Sequence, residues 1–435
     1  MNKIFIHILI ILFFNTNLFA DNLTEALLKA YNKNPKLNAE RENLNISQED
    51  INISKSNFLP SVTLSGSKSK EDTSKLTNQG GGDASITDVD PLTISLLIEQ
   101  TLYDGRARNA DLEKNKLGLD IAKIKLLKVE QEILYKAVEA YTGLILANKK
   151  YKINQSNVNL LERQVETDQA RLEKGQISLV DLAQSESSLA GANAKFIEAK
   201  NEVVTGKLVY ESVIGSIDNS NDLSEKLNFS LKLPDSLTKA NEISNKNNPE
   251  LIIAKFELQQ SEKDIIIAKA NLGPSATLSF EASQVEDLSA TYDERDKSIL
   301  KATVKWPFYT GGKNRATLNK NKNLSNQKRL LLEDAITSNT TSVASAWSSY
   351  QSTKSLLNSV RSQVRAAEIA NEGITVEYES GLGRTTLDVI QSNTLLLDSK
   401  ISLANSERNY LLSQFQLLQS IGLLTTECLQ INEEN

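Results

Sequence analysis

The stretch SILKATVKWPFYTGGKNRATL, Ser298 to Leu318, changes its period part-way along. Up to Trp306 it alternates, with Leu300, Ala302, Val304 and Trp306 on one face and Lys301, Thr303 and Lys305 on the other. That is the period of a strand with one apolar face. Beyond Pro307 and the Gly311-Gly312 pair no proline occurs again, and the pattern predicts helix from Lys313 to Glu379. Proline would remove a helix hydrogen bond and clash with the preceding turn, so its absence marks helix. At 1.5 Å per residue that rod is roughly 100 Å long, a length for which a globular domain has no use.

The same junction is written twice. LYDGRARNADL (102–112) matches FYTGGKNRATL (308–318) at an offset of 206. Upstream, Asn34-Pro35 and Asn248-Pro249 are 214 apart, as are Pro60-Ser61 and Pro274-Ser275. Downstream, RLEKGQISLVDL (171–182) matches EYESGLGRTTLDV (377–389), pairing Gly175 with Gly381. Beyond those glycines the offset becomes 207, so the second turn holds one extra residue. Each copy therefore reads as a helix of about 35 residues, a Pro-Ser step, two strands, and a long helical hairpin broken at a glycine turn. All seven prolines obey this plan: none falls within 107–213 or after 313.

The predicted division is a leader at 1–20 and a first copy at 21–213, with strands at 61–69 and 92–102 and a hairpin tip near 175–181. A linker at 214–236 precedes a second copy at 237–422, with strands at 275–283 and 298–306 and a tip near 381–388. A tail at 423–435 closes the chain. The leader has Lys3, an apolar run from Ile4 to Phe14 and a small residue, Ala20, at the cut, the layout of a secretory signal. About eleven apolar residues are too few to span a bilayer as helix. Net charge is −6, and −7 once Lys3 is removed, which argues against a nucleic-acid partner. The one histidine, His7, leaves with the leader, and with it the commonest general base and metal ligand. The single cysteine, Cys428, cannot form an internal disulfide. No metal or cofactor site is expected, and no nucleophile, base and acid converge, so enzyme activity is not expected.

Four strands leave two open edges, which a membrane forbids because unpaired backbone groups there cost several kcal/mol each. A soluble sandwich would need a second sheet or a broad apolar helix face, and the sequence supplies neither. Strands of ~9–11 residues with an apolar outer face suit a transmembrane barrel, with Trp306 and Tyr309 placed for an interfacial girdle. The polar stretches 66–91 and 283–297 read as outward-facing loops. Closure then requires other copies of the chain. The return arms of the hairpins carry heptads: Leu182, Leu189, Phe196 and Val203 with Ser185, Ala192 and Ala199 between them, then Val389, Leu396, Leu403 and Tyr410 with Ser392, Ser399 and Ser406. A small residue at alternate core positions lets coiled helices approach closely. The expected class is mainly α with membrane β: coiled-coil hairpins plus four strands per chain.

This layout, in its order and twice over, resembles the TolC family of outer-membrane ducts across the mature chain. The carrying motifs are the Asn-Pro starts, the Leu-Pro-Ser step (59–61), the Tyr-x-Gly-Gly entry to the long helix (309–312) and the glycine turns followed by aspartate. The resemblance implies a homotrimer with a 12-stranded barrel set in outer-membrane lipid, over a periplasmic helical tunnel girdled by 214–236 and the tail. It implies efflux or type I protein secretion without chemistry, driven by an inner-membrane ABC or RND-type pump through a periplasmic adaptor (membrane fusion) protein. It makes the turns at Gly175, Gly381 and Gly383 the periplasmic tips. By position, Asp181, Tyr378 and Arg384 are the gate, and Asp388 rings the aperture with Gln391 where the family pattern has a second aspartate. Three such carboxylates would favour cations.

Each of these residues has a plainer role open to it. Asp181 and Asp388 stand where a carboxylate caps a helix start, and Gly175 and Gly381 where glycine ends one. Tyr378 could be a core aromatic. The competing class is a periplasmic coiled-coil scaffold or adaptor without a pore, which would need no strands.

Overall fold

In the computed structural model of the chain, the described residues are 22–72, 80, 88–217, 223–224, 231–289 and 292–429. The expected leader, most of the loop around Gly80 and residues 430–435 lie outside them. Contacts divide the chain into two compact units that cut across the sequence copies. One comprises Lys36–Val129 and Thr238–Val343; the other Met1–Pro35, Glu130–Leu237 and Ala344–Asn435.

The first of these units holds an antiparallel sheet of β1 (Ser61–Lys68), β4 (Leu92–Tyr103), β5 (Ser275–Ser289) and β6 (Tyr292–Lys305), in that order. A two-residue ladder of β2 (Glu71–Asp72) and β3 (Asp88–Val89) lies in the connection between β1 and β4. Its register places Val62, Ile98, Phe280 and Leu300 in one cross-strand row, with Leu64, Leu96 and Ala282 in the next row on that face. The apolar face is bare: Val62 is 63 % exposed, Leu300 71 % and Val304 74 %. The opposite face carries rows such as Ser61, Glu99, Ser279 and Lys301. β1 and β6 are the unpaired edges.

Two expectations need correction. The stretch 283–297 is not a loop: β5 and β6 stay paired out to Ser289 and Tyr292. The apolar alternation stops near 283, but ladder hydrogen bonds continue where both faces are polar, so side-chain pattern underestimates the strands. The opening helices are also not continuous. α1 (Leu23–Lys33) and α2 (Pro35–Ser56) are separated at Asn34, and α5 (Leu237–Asn247) and α6 (Pro249–Ala270) at Asn248. A residue before proline is forced out of the α region, and Asn34 and Asn248 sit at ψ 121° and 120°. The Asn248 side chain then accepts from the amides of Glu250 and Leu251, starting the next helix.

α3 (Ala107–Glu173) and α7 (Lys313–Glu379) are the two 67-residue rods. Where each leaves the sheet, the two copies use the same clasp with different chemistry. The Arg108 guanidinium donates to the Asn57 carbonyl at 3.1 Å and to Asp104 at 2.9 Å, while its backbone N–H caps on the same carboxylate. In the second copy, the Asn314 amide donates to the Asn271 carbonyl at 2.8 Å and its N–H to the Thr310 hydroxyl at 3.3 Å. Below the junctions, α2 and α6 lie along the rods through polar contacts: Ser54 with Asp111, Lys114 with Asp264, Lys263 with Glu113 and Lys328 with Glu257. The Lys263 ammonium holds the Glu113 carboxyl below its ordinary range.

The other unit has the apolar core. Leu27 of α1, Leu134, Ala137, Val138, Tyr141 and Leu144 of α3, and Phe415, Leu417 and Leu418 of α8 (Thr386–Ser420) are fully buried there. The linker and tail close on this part of α3. Tyr141 donates to the Ser224 carbonyl, Gln131 to that of Gly422, and Thr426 donates twice to Glu130. Along α4 (Leu179–Val213) and α8, the small heptad residues Ser185, Ala192, Ala199, Ser392, Ser399 and Ser406 are buried. The larger residues between them are mostly half-buried.

Candidate functional site

Both hairpin tips are built from one local code. α3 ends with Gly175 in the left-handed region (φ 66°); its N–H bonds the Leu172 carbonyl and that of Gln176 the Arg171 carbonyl. α7 ends likewise at Gly381 (φ 70°), through Gly381 to Tyr378 and Leu382 to Glu377. This pair of bonds closes a helix around a left-handed residue, a conformation that favours glycine. Three residues later in the first tip, and four in the second, a capping box opens the return helix. Ser178 and Asp181 exchange side-chain and backbone hydrogen bonds at the start of α4; Thr385 and Asp388 do so at the start of α8. The extra residue of the second turn is accommodated by a further left-handed glycine, Gly383 (φ 81°).

These bonds settle the electrostatics of the two aspartates. Hydrogen bonds from the Ser178 hydroxyl and N–H hold the Asp181 carboxyl below its usual range. The Thr385 N–H and hydroxyl do the same for Asp388, with the nearby Arg384 charge adding to it. Arg384 reaches back across its own turn to Glu377 at 2.6 Å. Gln391 is exposed one turn below Asp388. Within one chain, then, Asp181, Tyr378 and Arg384 are not bonded to one another.

Tyr378 has a different acid. Its hydroxyl donates to Asp168 Oδ1 at 3.0 Å and lies 3.0 Å from the Thr386 hydroxyl. Asp168 is fully buried; its oxygens also accept from Gln164 Nε2 and, at 2.5 Å, from the Ser185 hydroxyl. The Arg171 guanidinium covers the Tyr378 ring at 4.5 Å, a cation–π contact. One buried carboxylate thus ties α3, α4 and α7 together next to the tips, and the Tyr378 hydroxyl carries the contact on to Thr386 of α8. Sequence reading missed Asp168, because QVETDQARLEKG (164–175) is mostly polar, with three acids, and nothing in it marks one acid as internal. The usable signal was Ser185, a hydroxyl at a heptad core position two turns past the tip. In the second copy Ser392 fills the matching place and accepts from Asn371.

Among the described residues no group of side chains has metal-ligand geometry, and no helix is long and apolar enough to cross a membrane. Long paired rods with capped tips, joined to a sheet that is bare on its apolar face, define the class of outer-membrane helical ducts. The outer membrane efflux protein model matches residues 26–208 and 242–423, one match per sequence copy, and the chain belongs to that family. It is similar to the outer membrane efflux protein BepC of Brucella suis biovar 1, at 26 % identity over 94 % of this chain and 87 % of BepC. It is also similar to the alkaline protease secretion protein AprF of Pseudomonas aeruginosa, at 21 % over 80 % and 73 % of the two chains. Among solved structures, the CmeC outer membrane channel of Campylobacter jejuni superposes with a TM-score of 0.81 at 13 % identity, covering 93 % of this chain and 86 % of that one. The protein is an outer-membrane efflux-family channel protein with a large helical periplasmic part.

Proposed function

We propose that three copies of this chain close a 12-stranded barrel and form a continuous duct from periplasm to exterior. The observation that carries this is the sheet: four strands, two unpaired edges, and one exposed face of Val62, Leu64, Ile94, Phe280, Leu300 and Val304. Such a face is stable against lipid and such edges are stable only when paired. Cargo passes without chemistry, driven by an inner-membrane ABC or RND-type pump engaged through a periplasmic adaptor. Relatives named for efflux and for protease secretion support both an efflux and a type I secretion role. Heat-modifiable trimers in outer-membrane fractions are the expected result; a soluble periplasmic monomer would return the reading to a coiled-coil scaffold.

In this duct the tips form the periplasmic gate. Asp388 from three copies rings the aperture with Gln391, and the half-buried Asp181 and the exposed Arg384 are free to meet neighbouring hairpins once Arg384 leaves Glu377. Tyr378 holds the inner hairpin through Asp168. Planar-bilayer conductance of Asp181→Ala and Arg384→Ala is expected to exceed that of the unaltered chain. Equal conductance would leave these residues with helix capping and a local ion pair alone.

A further inference from the structure

We infer that Lys297, Lys301 and Lys305 of β6 line the barrel section of the duct as an electropositive ladder that favours anionic over cationic solutes. This rests on the barrel reading above, which fixes the apolar face outward and therefore the opposite face inward. The three lysines stand at alternate inward positions of one strand, separated by Ile299 and Thr303, on the face opposite Leu300 and Val304. All three are exposed.

What surrounds them gives the ladder its sign. Directly across on β5 stand Ser283, Ser279 and Ser275. The hydroxyls of Ser279 and Ser275 turn to the Lys301 and Lys305 carbonyls, at 3.4 Å each, and so add no negative charge beside the ammonium groups. On the far side, a closed barrel seats β6 against β1 of the next copy. The inward residues of β1 are Ser61, Thr63, Ser65 and Ser67, again only hydroxyls. The inward carboxylates between Ser61 and Lys305, up to the rows of Ser283 and Lys297, are Glu99, which lies two strands away in the row of Lys301, and Glu281, opposite Ile299. In these rows the two strands of the seam itself therefore carry lysine as their only inward charge, with Glu99 one strand further on beside Ser61. Lysines four residues apart along a strand are ~13 Å from each other, close to the ~10 Å screening length at 0.1 M salt. Their fields merge below that ionic strength, where the screening length reaches the spacing. The duct would then carry two stations of opposite sign: a carboxylate ring at the tip and this ladder in the barrel. The solutes that suit the ladder are small anions and acidic segments of larger cargo.

The test is ion selectivity of the mature trimer in planar bilayers under a KCl gradient kept below about 0.1 M. The triple substitution Lys297→Gln, Lys301→Gln, Lys305→Gln is expected to raise the K⁺/Cl⁻ permeability ratio about threefold. Channels with an unchanged ratio would overturn the ladder, whereas no channels from the unaltered chain would overturn the duct itself. Should the triple variant fail to assemble, Lys301→Cys in a Cys428→Ser background gives an independent reading. Measured against their rates with a small free thiol in solution, an anionic thiosulfonate reagent should be favoured over a cationic one, and an unchanged or reversed preference would refute the inference.

Discussion

Burying Asp168 takes a carboxylate out of water, a cost that its donors from Gln164, Ser185 and Tyr378 must offset. Tyr378→Phe deletes one donor while keeping the ring under Arg171, so the change isolates the hydroxyl. It is expected to cost about 1–3 kcal/mol and to speed hydrogen exchange around 374–390. An unchanged thermal midpoint and exchange pattern would mean the node holds nothing. The aspartates at the two helix starts answer to pH instead. Their carboxyls lie below the usual range in the folded chain. Their capping is therefore complete above the ordinary carboxylate range of ~4 and is lost as pH falls through the lower folded values. Tip amides of Ser178–Leu182 and Thr385–Val389 should stay protected at mildly acidic pH and open only below it. Asp181→Asn should move that opening out of the acid range at the first tip alone. The two tip aspartates were legible in the sequence because local spacing fixes a cap. Asp168 was not, because its burial is decided by three other helices.

At the scale of elements, the small heptad residues are the packing surface. Ala199 is 3 % exposed and Ser399 fully buried, while Lys200 and Asp398 beside them are exposed. Filling a close helix contact forces the backbones apart. Ala199→Leu and Ser399→Leu should each cost about 1–3 kcal/mol in thermal unfolding, with Lys200→Leu close to neutral. Similar effects at all three sites would mean that the arms pack loosely and without register. This face was readable in advance, since a seven-residue period and two neighbouring copies of it constrain each other. The β5–β6 extension was not: its backbone ladder outlasts the apolar alternation, and polar side chains on both faces look like loop. The breaks at Asn34 and Asn248 were written in the Asn-Pro pairs, whose local rule on backbone angles overrides the helical pattern around them.

For the whole molecule, the question the fold poses is which face of the sheet meets lipid, because both edges and both faces are open in one chain. Leu300 and Ile299 are neighbours on β6 and point to opposite faces. Leu300 continues the row of Val62, Ile98 and Phe280; Ile299 sits opposite Glu281 in a row that also holds Thr63. If the first row faces acyl chains, Leu300→Arg places a charge in hydrocarbon at a cost of about 2–4 kcal/mol per copy near the midplane. A symmetric trimer incurs that cost three times, so assembly should fall far more than one site suggests. Ile299→Arg puts the same side chain into a wet lumen next to Glu281 and should leave assembly nearly intact. The measurement is the fraction of heat-modifiable trimer in outer-membrane fractions of cells making each variant. Equal loss from both would mean that neither face is solvated. Loss from Ile299→Arg alone would turn the sheet inside out, and with it the lysine ladder and the sign of the field in the barrel.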